Sequence, residues 1–431
     1  MRIDVDRLHK TIDETKRTIS DSEEALKSSD VWRLWKKLHR WRANLGSRPQ
    51  LAVVLEDMGH ELKRREKTNR AIVDEKALEG LAQEVPFVKD YLRLEKLKNL
   101  LRTYLKGIER EVVDGFLHPI FNLHLVKTYR SSSDSPNFQN IPTRDEESGR
   151  LVRSCFVPRD DHVLIETDYS ALEFRVAACF WRDGAMVAYA SDSTLDVHRD
   201  MAMECYMLSK NEVTKPCRFY AKNQFVFPEL YGSYYVNCAR NLWNAIDSGD
   251  LKTSEGVGLH NHLEEKGIDR LGRCNPGREP ELDTFERHVK RVESDFHKRF
   301  PQWAERKVKW WERYKRTGSF RMMTGFECSG VFTRNELYNW PIQGPAFHLL
   351  LWSLIQLQRW LVKGRMRSRI IGQIHDSIVA DVHRDELDDY LAESRRIMTE
   401  DVKTAYPWVV TPMEIEVEMF ETNWFEKVTL A

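Results

Sequence analysis

Ile12, Ile19 and Leu26 recur every seven residues in a charged stretch free of Pro and Gly, which predicts a long helix packed along a partner helix. A second long helix is predicted over 90–109, with Leu92, Leu94, Leu97, Leu100, Leu101 and Leu105 as its apolar side. Lys96, Lys98, Arg102 and Lys106 can share another face of it, so the two helices read as an arm with one basic edge. The segment 129–142, YRSSSDSPNFQNIP, is turn chemistry. Val163, Leu164 and Ile165 end a buried strand and Ser170 to Arg175 open a helix, which leaves Asp168 at the junction. Residues 196–235 are again helical, with Arg218 and Lys222 four apart on one face and a break or kink expected at Pro228 and Gly232. Residues 244–285 are polar and predict a surface insertion; a helix over 283–317 follows. NWPIQGPAF (339–347) leads into an apolar helix over 345–362, and IIGQIHDSIVADV (370–382) predicts a hairpin with an acid at its tip.

Length and charge narrow the class. At 431 residues two or three domains are expected, although one elaborated domain would fit. The balance of 67 Lys+Arg against 67 Asp+Glu hides an asymmetry, because residues 31–110 hold 19 Lys+Arg and 11 Asp+Glu. A basic segment in a neutral chain suits a polyanion, or simply makes a solvated helical face. The seven cysteines are odd in number, scattered and never paired as C-x-x-C, which excludes a disulfide framework and a structural zinc and predicts reduced thiols. The charged start MRIDVDRLHK carries no secretory signal, and His348, Gln356, Gln358 and Arg359 interrupt the most apolar run. A cytoplasmic compartment, of a bacterium or of an infected host cell, and no membrane partner are expected.

Asp168 alone would read as a helix cap. With Asp376 at the hairpin tip, 208 residues later, it gains a second meaning if the two strands are neighbours in one sheet. Two adjacent carboxylates repel by about 4 kcal/mol at 4 Å and an effective dielectric near 20, so such a site takes protons or cations. Paired acids holding two divalent ions suit in-line displacement at phosphorus. Arg218 and Lys222 could supply fixed positive charge to a triphosphate, Lys222 could protonate a departing pyrophosphate, and Phe225, Phe227 or Tyr231 could stack on a base. Each has a plainer alternative: a solvated face for the cations, core packing for the rings, a structural histidine for His375.

The order of these segments resembles the family A, DNA polymerase I-like, DNA polymerases. DYSALEFR (168–175) is similar to the family's motif A, RFYAKNQFVFPELYG (218–232) to motif B and IHDS (374–377) to motif C. TYRSSSDSPNFQNIP (128–142) and NWPIQG (339–344) resemble its DNA-contacting stretches. The resemblance implies an α+β, right-hand fold with an antiparallel palm sheet: thumb 1–112, palm 113–195 and 333–431, fingers 196–332. It implies a DNA-directed DNA polymerase using two Mg²⁺ ions, with Mn²⁺ as a substitute, held by Asp168, Asp376 and the Tyr169 carbonyl. Glu173 would be the steric gate against a 2′-hydroxyl. Arg218, Lys222, His198, Tyr231 and one of Phe225 or Phe227 would bind the dNTP. Arg130, Gln139, Asn140, Arg153, Asn339, Gln343, His375, Lys96 and Lys98 would contact primer-template DNA.

Three departures accompany the resemblance. One residue more separates Lys222 from Tyr231 than in bacterial members, as in phage-type members, which leaves the stacking phenylalanine open. Motif C ends in Ser377 where many relatives have Glu. The thumb-like part begins almost at Met1, so no proofreading 3′–5′ exonuclease is expected in this chain, and a separate exonuclease, helicase or processivity factor would be a partner. A two-metal nuclease and a non-catalytic DNA-binding subunit are the rival classes; dNTP-dependent primer growth separates them from a polymerase.

Overall fold

The computed structural model describes residues 1–431 except 63, 65–67, 83, 144 and 431. It divides into two compact units. The first comprises residues 1–120, 133–160 and 420–427. Its helix α1 (Val5–Ser28) starts where the Asp4 carboxylate accepts the Arg7 N–H at 2.9 Å, and it buries Leu8, Ile12 and Leu26. α2 (Asp30–His39) follows. α3 (Pro86–Asn99) opens on a proline, packs along α1 and continues through a wider π-type turn over Leu100–Leu105 into Lys106–Glu111. Trp35, Leu51, Val54, Leu55, Phe87 and Tyr91 form a core around these helices. α4 (Glu146–Arg153) and a short antiparallel ladder of Arg2–Ile3 with Phe156–Val157 complete the unit. Here Trp424 stacks on Phe138 at 5.1 Å and meets Phe156 edge-on at 5.4 Å.

The second unit comprises residues 121–132, 161–419 and 428–431. Its centre is a sheet of β1 (His162–Tyr169), β2 (Arg369–Ile374), β3 (Ser377–His383), β4 (Ile415–Phe420) and β5 (Val428–Leu430), ordered β5-β4-β1-β3-β2. The ladders β1–β3, β2–β3 and β4–β5 are antiparallel. Strand alternation explains what β1 does. Val163, Ile165, Thr167 and Tyr169 are buried on one face, and Leu164, Glu166 and Asp168 take the other, becoming more exposed toward Asp168.

Helices cover the buried face and extend beyond it: α5 (Leu172–Trp181), α6 (Val197–Tyr206), α7 (Lys215–Ala221), α8 (Tyr235–Ser248), α9 (Phe285–Arg299), α10 (Pro301–Thr317) and α11 (Arg334–Lys363). One continuous apolar cluster joins the sheet to all seven. α11 starts eleven residues before the expected 345, at a Thr333–Glu336 capping box, and runs through Pro341 and Pro345; both are buried, as are Ile342, Ala346 and Leu350 around them.

Within residues 244–285, Leu251, Leu259, Leu263 and Ile268 are buried, so a polar sequence hides a small apolar stripe that docks into the main cluster. Residues 133–160 and 420–427 group with the N-terminal helices, while the sheet and the helices from 196 to 332 share one core. All seven cysteines are buried and free, and no helix among the described residues is long and apolar enough to cross a membrane.

Candidate active site

Asp168 is not a helix cap. It lies inside β1, and the following helix begins at Leu172 with Ala171 as its N-cap, at φ +52° and without a side-chain bond. The turn between them is pinned from outside: Ser170 N–H donates to the Glu414 carbonyl at 2.9 Å, and Arg175 Nε donates to the Ser170 carbonyl at 2.9 Å. Arg175 also forms an ion pair with Glu414. Asp376 sits in the two-residue turn joining β2 to β3, where His375 takes φ +47°, a backbone a tight hairpin asks for.

The register does the rest. Asp168 pairs with Ser377, the residue after Asp376, and Tyr169 N–H donates to the Asp376 carbonyl at 3.2 Å. Residues far apart in sequence thus place two carboxylates side by side on the sheet's exposed rim.

Both carboxylates touch solvent, Asp168 more than Asp376, but protein surrounds them closely. Burial, then the charges of Asp376, Glu166, Glu416 and Glu418, push the Asp168 carboxyl up to about 7. Burial and the Glu173 charge push Asp376 up to about 6, against the pull of Arg130 and Lys222. Such a pair is short of positive charge. Among the described residues no three His, Cys, Asp or Glu side chains form a ready-made metal cage. Two carboxylates and a backbone carbonyl nevertheless fit Mg²⁺, which takes one or two protein carboxylates and fills its octahedron with water and phosphate oxygens.

A cationic and aromatic helix faces this pair. Burial and the neighbouring Arg218 push the Lys222 ammonium down, while Glu173, Asp376 and Asp168 hold it up. Its Nζ lies 5.5 Å from the Phe227 ring centre, and Phe227 stacks on Tyr231 at 5.9 Å and 15°. The Tyr231 hydroxyl donates to Glu173, whose other oxygen pairs with Arg130. Arg218 Nε donates to Asp196 at 2.6 Å, and the same Asp196 caps α6 through His198 N–H and Arg199 N–H, each at 3.0 Å. His198 is 5% exposed and packs at 5.8 Å from Phe227; burial, Lys222 and Arg218 push its imidazole down to about 3, so it is neutral.

Burial separates the two candidate rings. Phe225 is fully buried and meets Phe296 edge-on at 5.4 Å, so it is core; Phe227 is the ring beside Lys222 and Tyr231. The reason is a π-type turn over Lys222–Val226, which takes in one residue more than an α-turn and returns Phe227 to the face carrying Lys222. Gly232, at φ +89°, ends the helix against α11, where a Cβ would lie 2.7 Å from Tyr338.

Other expected contacts fare differently. His375 is exposed at the hairpin tip, and Gln343 and Asn339 are half-buried on α11, the Asn339 Oδ1 without a partner. Gln139 and Asn140 lie in a short 3₁₀ turn of the first unit, Asn140 exposed. Arg153 is 8% exposed, with its guanidinium 4.2 Å from the Trp424 ring centre. Lys96 pairs with Asp145 and Lys98 with Glu23 at 2.8 Å. Sequence reasoning passed over Asp196, which tethers Arg218, and Gln373, which accepts from Ser131 Oγ at 2.6 Å and donates to the His375 carbonyl at 2.6 Å. Asp196 lies two residues before His198, at the start of a predicted helix, a signal that could have found it.

A sheet carrying an acidic pair at neighbouring strand ends, opposed by a helix with Arg, Lys and Tyr on one face, is the fold of a polymerase domain: the solved POL domain of Pol1 from M. smegmatis, in complex with DNA primer-template and dNTP, superposes with a TM-score of 0.75 over 99% of this chain and 67% of that one, at 24% identity. The chain belongs to DNA polymerase family A, whose profile matches residues 10–250 and 316–426. The unmatched interval contains most of the polar segment flagged above as an insertion. DNA polymerase I of Lactococcus lactis subsp. cremoris is 31% identical over 367 residues, 84% of this chain and 38% of that protein. DNA polymerase I of Streptococcus pneumoniae serotype 4 is 30% identical over 395 residues, 89% of this chain and 40% of that protein. The chain therefore spans well under half the length of these relatives.

Proposed function

We propose that this chain is a template-directed DNA polymerase that extends a primer 3′-hydroxyl with deoxynucleotides. The observation that carries the reading is the β1–β3 register, which sets Asp168 beside Asp376 within the electrostatic reach of Lys222. In the reaction the primer 3′-oxygen bonds to the α-phosphorus of the dNTP while the bond to pyrophosphate breaks. Two Mg²⁺ ions, or Mn²⁺, bound by Asp168, Asp376 and the Tyr169 carbonyl would supply the charge that makes the 3′-oxygen a nucleophile and steadies the leaving group.

The chain's own groups have distinct tasks. Lys222 and Arg218 hold the triphosphate, Arg218 exchanging Asp196 for phosphate oxygens, and Lys222, its proton loosened by burial, donates to the departing pyrophosphate. Phe227 offers its face to the incoming base and Tyr231 stands behind it. Glu173, held by Arg130 and Tyr231, fills the space of a ribose 2′-hydroxyl. His375, Gln343 and Asn339 face primer or template, as do Gln139 and Asn140. The helical N-terminal part would serve as thumb, and residues 196–332 as fingers. The DNA polymerase I relatives and the primer-template and dNTP bound to the M. smegmatis domain support this substrate class.

Incubation with a 5′-labelled primer on a longer template, four dNTPs and Mg²⁺ tests the reading. Wild type should extend the primer, and Asp168→Ala and Asp376→Ala should each lose at least about 10³-fold in rate. A chain that shortens DNA, or binds it without dNTP-dependent growth, is a nuclease or a binding subunit instead.

A further inference from the structure

Ser377, the residue that follows Asp376, is tied to a further acid. Its hydroxyl lies 3.0 Å from Glu166 Oε1 and 3.0 Å from the Ile374 carbonyl. Glu166 lies two residues before Asp168 on β1, so both side chains rise from the same sheet face. Ser377 immediately follows Asp376 and is the cross-strand partner of Asp168. One hydroxyl therefore links the β2–β3 turn that carries Asp376 to a third acid on the strand that carries Asp168. Glu416 and Glu418 of β4 add negative charge to the Asp168 side, while Arg130 and Lys222 are the cations felt by Asp376.

We propose that Glu166 is a positioning residue of the nucleotidyl-transfer site, a third carboxylate on β1 that steadies the turn carrying Asp376 through Ser377. The inference rests on the polymerase reading above. Among the described residues no three acids form a metal cage, and the Glu166 carboxylate is bonded to Ser377, so its role is exerted through that serine and through its charge. Its grip on Ser377 fixes the turn that aims Asp376, and its charge adds to the field that draws divalent cations to the pair.

Three proteins test this: wild type, Glu166→Gln, which keeps an oxygen for Ser377 but no charge, and the transplant Glu166→Gln with Ser377→Glu. Mn²⁺ binding is read by electron paramagnetic resonance without DNA or nucleotide, and the Mg²⁺ dependence of primer extension is read separately. Glu166→Gln should bind Mn²⁺ about tenfold more weakly and need about tenfold more Mg²⁺ for half-maximal extension, with kcat at saturating Mg²⁺ within a few-fold of wild type. The transplant should recover both. Unchanged Mn²⁺ affinity and Mg²⁺ dependence in a Glu166→Gln protein that extends primers would overturn the proposal. So would weakened binding that the transplant fails to recover, since that marks a packing role. If wild type binds Mn²⁺ but extends no primer, the polymerase reading fails, and the Mn²⁺ series still decides whether Glu166 supports the aspartate pair.

Discussion

At the scale of single residues, Glu173 holds two partners at once, the Arg130 guanidinium and the buried Tyr231 hydroxyl. Glu173→Ala would leave the Tyr231 hydroxyl without its acceptor, at a cost of about 1–3 kcal/mol, and would open the space proposed for a 2′-hydroxyl. The expected outcome is a lower melting temperature together with a loss of at least about tenfold in the preference for dNTP over rNTP. Single-nucleotide incorporation with matched dNTP and rNTP measures the second effect; an unchanged preference removes the gate role whatever the stability shows. Tyr231→Phe separates the two, because it unties Glu173 without removing the side chain that fills the gap. Asp168 and Asp376 stood out in the sequence because a charge ending a buried strand or tipping a hairpin is conspicuous, Lys222 because it lies four residues from Arg218 on one helix face, and Glu173 only through the family resemblance. Glu166 did not, since an acid inside a strand has meaning only once the register brings the Ser377 hydroxyl, diagonally across the ladder, to it.

At the scale of elements, the helix bearing Arg218 and Lys222 shows where periodicity misleads. Regular α-spacing favours neither Phe225 nor Phe227 over the other, and only the π-type turn over Lys222–Val226 turns Phe227 toward the site and sends Phe225 into the core. A wider turn also leaves one residue that a plain α-helix does not need. Deleting Gln224, a half-buried residue in that turn, should let the segment close into α-geometry while Lys222, Phe227 and Tyr231 keep their common face. The expected result is a protein that melts cooperatively and retains extension within about tenfold of wild type, measured by circular dichroism and primer extension. Deleting Val226 instead removes a buried side chain and should cost about 2 kcal/mol or more. If the Gln224 deletion unfolds as readily as the Val226 deletion, the turn is required by packing and the extra residue is not dispensable. The hairpin 369–383 was readable from its two β-branched runs, and α1 from its heptad spacing. The first eleven residues of α11 were not, because Pro341 and Pro345 look like breaks until the packing around them is seen.

At the scale of the whole molecule, the observed units follow a few long-range aromatic contacts that no local pattern announces. Trp424, near the end of the chain, draws residues 138 and 156 to itself and so attaches segments expected in the palm to the N-terminal helices. Charge shows the same gap between sequence and structure. The arm helix α3 looked like the polyanion-binding edge, yet Lys98 pairs with Glu23 at 2.8 Å, Arg93 with Glu147 at 2.8 Å, Lys106 with Glu109 at 2.7 Å, and Lys96 with Asp145. A lysine with a carboxylate partner releases no net counterion when DNA approaches, unless it abandons that partner. By contrast, Lys36 and Lys37 in the last turn of α2, and Arg40 just beyond it, are exposed and in no ion pair among the described residues. With 67 cationic and 67 anionic side chains overall, attraction to DNA has to come from such local excess. Primer-template affinity measured across salt concentrations should therefore distinguish the two groups. Lys37→Ala is expected to flatten the slope of log K against log salt by about 0.9, the contribution of one neutralised phosphate. Lys98→Ala should leave that slope within error and act instead on melting temperature, by the ~0–1 kcal/mol an exposed pair contributes. The reverse pattern, a flatter slope for Lys98→Ala alone, would return the DNA-binding edge to the arm and mean that Glu23 lets go when the nucleic acid arrives.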